Sequence, residues 1–102
     1  MGKFEAIIGA AVTRLGNRAT AGQVFHEILD SGERALLANV YVALDRLEKK
    51  KAVIRSVERQ TTPDGASREV NVYTLSDVGR ESLNEAIERL TRSVATLQSV
   101  KS

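Results

Sequence analysis

The chain contains no cysteine, which excludes a disulfide framework and a thiolate metal site. It has one histidine, His26, with no second histidine or obvious nucleophile to work with. No glycine-rich phosphate loop, metal-ligand spacing or Ser/His/Asp set is present. Neither a metal nor a cofactor is therefore expected, and scattered surface carboxylates offer little to build an enzyme from. No apolar run approaches the roughly 18 residues of a membrane span. The start, Met1-Gly2-Lys3-Phe4-Glu5, lacks the charged-then-apolar plan of a secretory leader because Glu5 interrupts it and the apolar stretch enters an ordinary helix pattern. The expectation is a soluble, cytoplasmic protein with no membrane partner.

What is present is 102 residues, 42% of them hydrophobic and 27% charged. That is one domain, residues 1–102, with one modest core. The net charge is only +2, but it is unevenly spread. Residues 1–33 hold three basic and four acidic groups, residues 34–68 eight and four, and residues 69–102 four and five. A basic middle between faintly acidic ends is the layout of a nucleic-acid surface on a domain that uses its ends for something else. Chance clustering of solvated charge gives the same pattern.

Phe4, Ile7, Ile8, Ala11, Val12 and Leu15 recur at helical spacing and predict a first helix over about 4–15. Gly16-Asn17 ends it. The stretch Ala6 to Val12 carries no charge, so this helix is expected to be covered on two sides, most simply by a partner subunit. Thr20-Ala21-Gly22-Gln23 reads as a capping box opening a second helix. Val24, Phe25, Ile28 and Leu29 form its buried stripe, which leaves His26 pointing outward. A third helix over about 36–50 has an inward stripe of Leu37, Val40, Leu44 and Leu47, with Asn39, Val42, Ala43, Arg46, Lys49 and Lys50 on the other side.

The period then changes from 3.6 to 2. A strand from Val53 to Gln60, a Pro63-Asp64-Gly65 turn and a strand from Glu69 to Leu75, with Val70, Val72 and Thr74 on one face, predict a hairpin. Ser76 is a good N-cap for a fourth helix reaching about Val100. Leu83, Ile87, Leu90, Val94 and Leu97 follow at spacings of 4, 3, 4 and 3, a coiled-coil-like seam. Its flanks are small or uncharged, and Glu85–Arg89 and Glu88–Arg92 fall into i, i+4 pairing on the outer face. Such a seam expects more than one neighbour, plausibly a second copy of itself and the first helix. The fold class is mainly α with a small β-hairpin (α+β), in the order helix, helix, helix, strand, strand, helix.

The third helix, Val40-Tyr41-Val42-Ala43-Leu44-Asp45-Arg46-Leu47-Glu48-Lys49-Lys50, resembles the recognition-helix signature V/L-Y-x-x-L-x-R-L-E of PadR-type transcriptional regulators. Tyr73-Thr74-Leu75-Ser76-Asp77-Val78-Gly79 is similar to that family's Y-x-L-T/S-x-x-G junction between wing and last helix. The resemblance spans about residues 4–90. It implies a winged helix-turn-helix over 4–75 and a C-terminal dimerisation helix over 76–100 packed with helix 4–15. It further implies a homodimer held by the first and last helices on a near-palindromic operator, repression as the usual output, and in many members a response to small aromatic compounds. The chain departs from the family's pattern in Thr20-Ala21 for a usual Tyr-Gly and in Leu36 and Ala38 for a serine and a glycine. Lys51 replaces a closing glycine, and Glu69, Val70 and Asn71 stand where Arg and Lys are common.

In a helix-turn-helix the second helix enters the major groove. Here its face offers Asn39 for adenine, Arg46 for guanine and Val42 for a thymine methyl. Tyr41 either places its hydroxyl on a phosphate or is a partly buried core tyrosine. Lys49, Lys50 and Lys51, with Arg55, Arg59 and Arg68, either neutralise phosphates or, for the lysines, decorate a solvated helix end. Thr20 either meets a phosphate with its helix N-terminus or simply caps it. Phe25 lines a small pocket near the dimer axis or packs in the core. The expected DNA-binding set is thus Thr20, Asn39, Tyr41, Val42, Arg46, Lys49, Lys50, Arg59 and Arg68. The expected dimer interface is Phe4, Ile7, Ile8, Ala11, Leu83, Ile87, Leu90, Val94 and Leu97. The partners are double-stranded DNA, a second copy of the chain and a small aromatic effector of unknown identity. The competing reading is a winged-helix interaction module that dimerises with little DNA affinity.

Overall fold

Helices α1 (Lys3–Arg14), α2 (Ala21–Asp30) and α3 (Leu37–Lys49) are followed by strands β1 (Val53–Thr61) and β2 (Ser67–Leu75) and by helix α4 (Asp77–Lys101). This computed structural model describes the backbone of residues 1–101 and the side chains of residues 1–93. The strands pair antiparallel from Val53↔Leu75 at the base to Thr61↔Ser67 at the tip. Ala19 adds a short antiparallel bridge to the free edge of β2 at Tyr73. The Arg18–Glu58 ion pair therefore reaches across β2.

The first three helices end alike. Asn17 N–H donates to the Val12 carbonyl, Glu33 to Ile28 and Ala52 to Leu47, each paired with a bond from the preceding residue that spans three positions. These are Schellman closures, which need a left-handed residue just past the helix. Gly16 and Gly32 supply it at φ 83° and 89°, but after α3 the position is Lys51 at φ 62°. A side chain there costs about 1 kcal/mol relative to glycine. Lys51→Gly is expected to raise the unfolding free energy by about that amount, read as a higher midpoint in urea at unchanged slope.

The core is built from Ile8, Ala11 and Val12 of α1, Val24 and Ile28 of α2, Val40, Ala43, Leu44 and Leu47 of α3, Val53, Tyr73 and Leu75 of the hairpin, and Leu83 and Ala86 of α4. Four expectations change. Leu37 is exposed and Ala43 takes its place in the inward stripe of α3, because α2 and α1 meet that helix one position round from the predicted line. Leu29 is likewise exposed, at the end of α2 where no element covers it. On the hairpin, Tyr73 and Leu75 are the core face, while Val72 is buried on the opposite face. The charge-free stretch of α1 is covered on its second side by the chain's own α4: an added β-carbon at Gly9 would lie 3.4 Å from the Leu83 side chain.

Ile8, Ala11 and Leu83, expected at a dimer interface, are thus buried within one chain and offer no surface to a partner. Phe4 and Ile7 are half-buried against the core. Ile87 and Leu90 stay 46% and 43% exposed, where the seam of α4 runs past the start of α1. The side chains of Val94 and Leu97 lie outside the described residues. Arg92 pairs with Glu88 at 2.6 Å, but Arg89 turns from Glu85 to the Met1 carbonyl at 3.3 Å and so ties α4 to the N-terminus.

Two polar devices fix the wing to the helices. The Asn17 amide oxygen accepts from Leu75 N–H at 2.9 Å and its amide N–H₂ donates to the Leu75 carbonyl, so one side chain stands in for a strand. Ser76 caps α4 by accepting from Gly79 N–H at 3.0 Å, and its hydroxyl donates to the Lys51 carbonyl at 2.6 Å. The end of α3 and the start of α4 are joined through that one residue.

Candidate nucleic-acid interface

Because Val40, Ala43, Leu44 and Leu47 face inward, the line opposite them carries Ala38, Val42, Asp45 and Lys49. All four are exposed. Tyr41 lies on the flank toward the wing, and Asn39 and Arg46 on the flank toward α1.

On the wing side, a groove of about 670 Å³ runs between the start of α2, Tyr41 and strand β2, lined among others by Thr20, Gly22, Gln60, Arg68 and Tyr73. Thr20 fulfils its capping role: its hydroxyl oxygen accepts from Gln23 N–H at 3.2 Å and its own N–H donates to the Gln23 side chain at 2.9 Å. The first N–H groups of α2 remain as donors facing the groove. Tyr41 is 51% exposed, so its ring is a surface group and not a core one. Tyr73 is the core tyrosine, and burial pushes its phenol above the ordinary value against the opposing pull of Arg55.

On the α1 side, Asn39, Val42 and Arg46 share a hollow of about 360 Å³ with Phe4, Glu5 and Arg34. Arg34 and Arg46 thus line one hollow beside α3. Arg34 went unnoticed because it precedes the helix, outside any periodic pattern.

Ion pairing divides the basic residues. Lys49 is paired with Asp45 at 3.0 Å, Arg55 with Glu48 at 3.3 Å and Arg59 with Glu69 at 3.9 Å. These surface pairs are worth little and exchange partners readily. Lys50 differs. It points toward α1 and holds both carboxylate oxygens of Glu5, at 3.0 and 3.1 Å. Partial burial pushes the Glu5 carboxyl up, but the Gly2 N–H and the Lys50 ammonium outweigh it, and its pKa falls below the ordinary carboxylate range. Lys50, expected on the DNA face, is therefore engaged in joining α3 to α1. Among the described residues, Arg34, Arg46, Lys51 and Arg68 make no ion pair. These four carry the positive excess of the middle of the chain.

Asp45 was also missed. It stands mid-helix on the outward line, where sequence reasoning looked for cations. At the wing tip, Asp64 accepts from the Thr62 hydroxyl and from Ala66 N–H, and these bonds lower its pKa. The tip thus carries an ionised carboxylate held by the turn's own hydrogen bonds. Phe25 is half-buried against the core, its ring 5.7 Å from that of the exposed His26.

A helix-turn-helix followed by an antiparallel two-stranded wing and a long final helix defines the winged-helix fold. More narrowly, it is the fold of solved PadR-family transcription regulators. A PadR family regulator from Clostridium difficile R20291 superposes with a TM-score of 0.82 over 99% of this chain and 100% of its own, at 14% identity. F93 from STIV, a winged-helix DNA-binding protein, gives 0.68 at 22% identity over 92% of this chain and 94% of its own. Bacillus subtilis PadR, solved in complex with operator DNA, gives 0.64 at 20% identity over 81% of this chain and 45% of its own. No sequence-family model matches the chain, and no curated protein sequence does. Among the described residues, no helix is long and apolar enough to cross a membrane.

Proposed function

We propose that the chain is a sequence-specific DNA-binding regulator of transcription that acts as a homodimer on a near-palindromic operator, with repression as its output. The observation that carries this is the placement of the unpaired cations. Arg34 and Arg46 flank α3 on one side, Arg68 lies across the groove on the other, and Lys51 closes the helix. The wing and the open start of α2 complete a surface suited to phosphates. The homodimer rests on the exposed Ile87 and Leu90, an apolar stripe on a helix of 25 residues that outruns the cover α1 provides. A second reading, a winged-helix interaction module, draws on the acidic Asp45 at the centre of the same face.

The test is binding of the purified chain to DNA from just upstream of its own coding region, against a random-sequence competitor, at several salt concentrations. Four phosphate contacts from each protomer, eight in the dimer, predict a slope near −7.2 in log affinity against log salt, so affinity falls on the order of ten-thousandfold between 50 and 200 mM. Footprinting is expected to show two half-sites about one helical turn apart. Weak binding that is indifferent to sequence would instead favour the interaction module.

A further inference from the structure

The outward face of α3 is unusual in what it presents first. Leu36, at the N-cap position, is 68% exposed and makes no capping hydrogen bond through its side chain. Leu37 follows, left uncovered at the end of the inward side, and then Ala38 and Val42 on the outward line with Tyr41 on its wing flank, all exposed. Over this leading half of the helix the only polar groups are the Asn39 amide, on the α1 flank, and the Tyr41 hydroxyl, on the wing flank. The first charge on the outward line is Asp45, an acceptor already 3.0 Å from Lys49. Arg46, the group best suited to guanine, sits on the flank beside Arg34 and not on the outward line. The strip is therefore apolar along its middle and bordered by unpaired cations on both sides.

We infer that this strip reads thymine 5-methyl groups, and that base selection by this chain is mainly apolar and not a matter of bidentate hydrogen bonds. The inference rests on the DNA-binding reading above and deepens it. The thymine methyl is the one apolar group that a base pair displays in the major groove. Cations along both borders match a groove floor with a phosphate backbone on either side. An apolar protein partner would match the strip but leave Arg34, Arg46 and Arg68 unanswered. Asp45 adds to the preference, since a carboxylate can accept from the cytosine amino group and repels the acceptor edge of guanine. The leading residues thereby select pyrimidines on one strand, while the flanking arginines hold register without reading sequence.

The experiment uses the full chain and DNA of defined chemistry. A random-sequence duplex pool is selected for binding at low salt, and the enriched duplex is remade with deoxyuridine in place of thymidine, one strand at a time. Removing each contacted methyl is expected to weaken binding roughly fourfold. Val42→Ser is expected to bind the thymidine and deoxyuridine versions alike at the position it touches. Leu36→Ser serves as a second variant, because serine at an N-cap supports the helix and loss of folding cannot mimic the result. Equal binding of both duplexes by the parent chain would overturn the inference while leaving a sequence-specific regulator in place. A penalty that persists undiminished in both variants overturns it too. A pool that enriches nothing overturns the DNA-binding reading itself, and the inference with it.

Discussion

Gly79→Ala is expected to destabilise the chain by about 3 kcal/mol, the upper end of what overpacking usually costs. A β-carbon at Gly79 would sit inside the van der Waals envelope of the Ala52 carbonyl oxygen and only 2.8 Å from its carbon. The obstacle is backbone, so no rotamer change relieves it. That carbonyl also accepts from Ser76 N–H at 3.0 Å, next to the Ser76 cap on α4 and the Ser76 bond to Lys51. Moving α4 away to make room would stretch all three bonds and lift Leu83 from its seat against Gly9. Urea unfolding measures the effect. Gly22→Ala is the matched control, since its β-carbon would meet nothing nearer than the Thr20 hydroxyl at 3.9 Å. There the substitution should be neutral or stabilising by about 0.5–1 kcal/mol. If the two variants unfolded at the same urea concentration, the close approach at Ala52 would carry no energetic weight.

The second large effect concerns binding. Arg34→Ala combined with Arg46→Ala is expected to reduce DNA affinity by about two orders of magnitude at 50 mM salt, and to lower the salt slope by about 0.9 for each arginine per protomer. Both side chains are exposed and unpaired, so their removal leaves no buried charge behind and the fold should be unaffected. Their shared hollow beside α1 points to phosphate contact, and phosphate contacts weaken all sequences alike. The discriminating measurement is the ratio of affinities for the selected duplex and a scrambled one. An unchanged ratio with a shallower slope fits two phosphate clamps. If Arg46→Ala alone collapses the ratio by the tenfold or more typical of a lost bidentate guanine contact, Arg46 reads bases after all and the apolar strip loses its leading role.

Much of the architecture was legible because its signals are local. The Thr20–Gln23 capping box, the glycines after α1 and α2, the Pro63-Asp64-Gly65 turn and the change of period after Lys51 each act within a few residues of themselves. They determine where elements begin and end whatever the rest of the chain does. The periodicity of α3 likewise showed that one side is apolar and which residues compete for it. For the proposed site the sequence offered α3 and the hairpin as elements, and Asn39, Tyr41, Val42, Arg46 and Arg68 as side chains that the structure leaves exposed.

What the sequence could not determine was which neighbour each flank meets. Helical period places a residue around its own axis, but docking between elements decides which angle is inside. That is why Leu37 and Ala43 exchanged places, and why α4 of the same chain covers α1 at Gly9. The same cause took Lys50 from its expected place on a DNA-binding face to Glu5, 45 residues away in sequence, and joined Asn17 to Leu75 across 58. Such pairs depend on distances between elements, which no local pattern encodes. The tertiary structure alone therefore separated the four unpaired cations from the four paired ones in the basic middle, and placed Arg34 and Arg46 on one hollow.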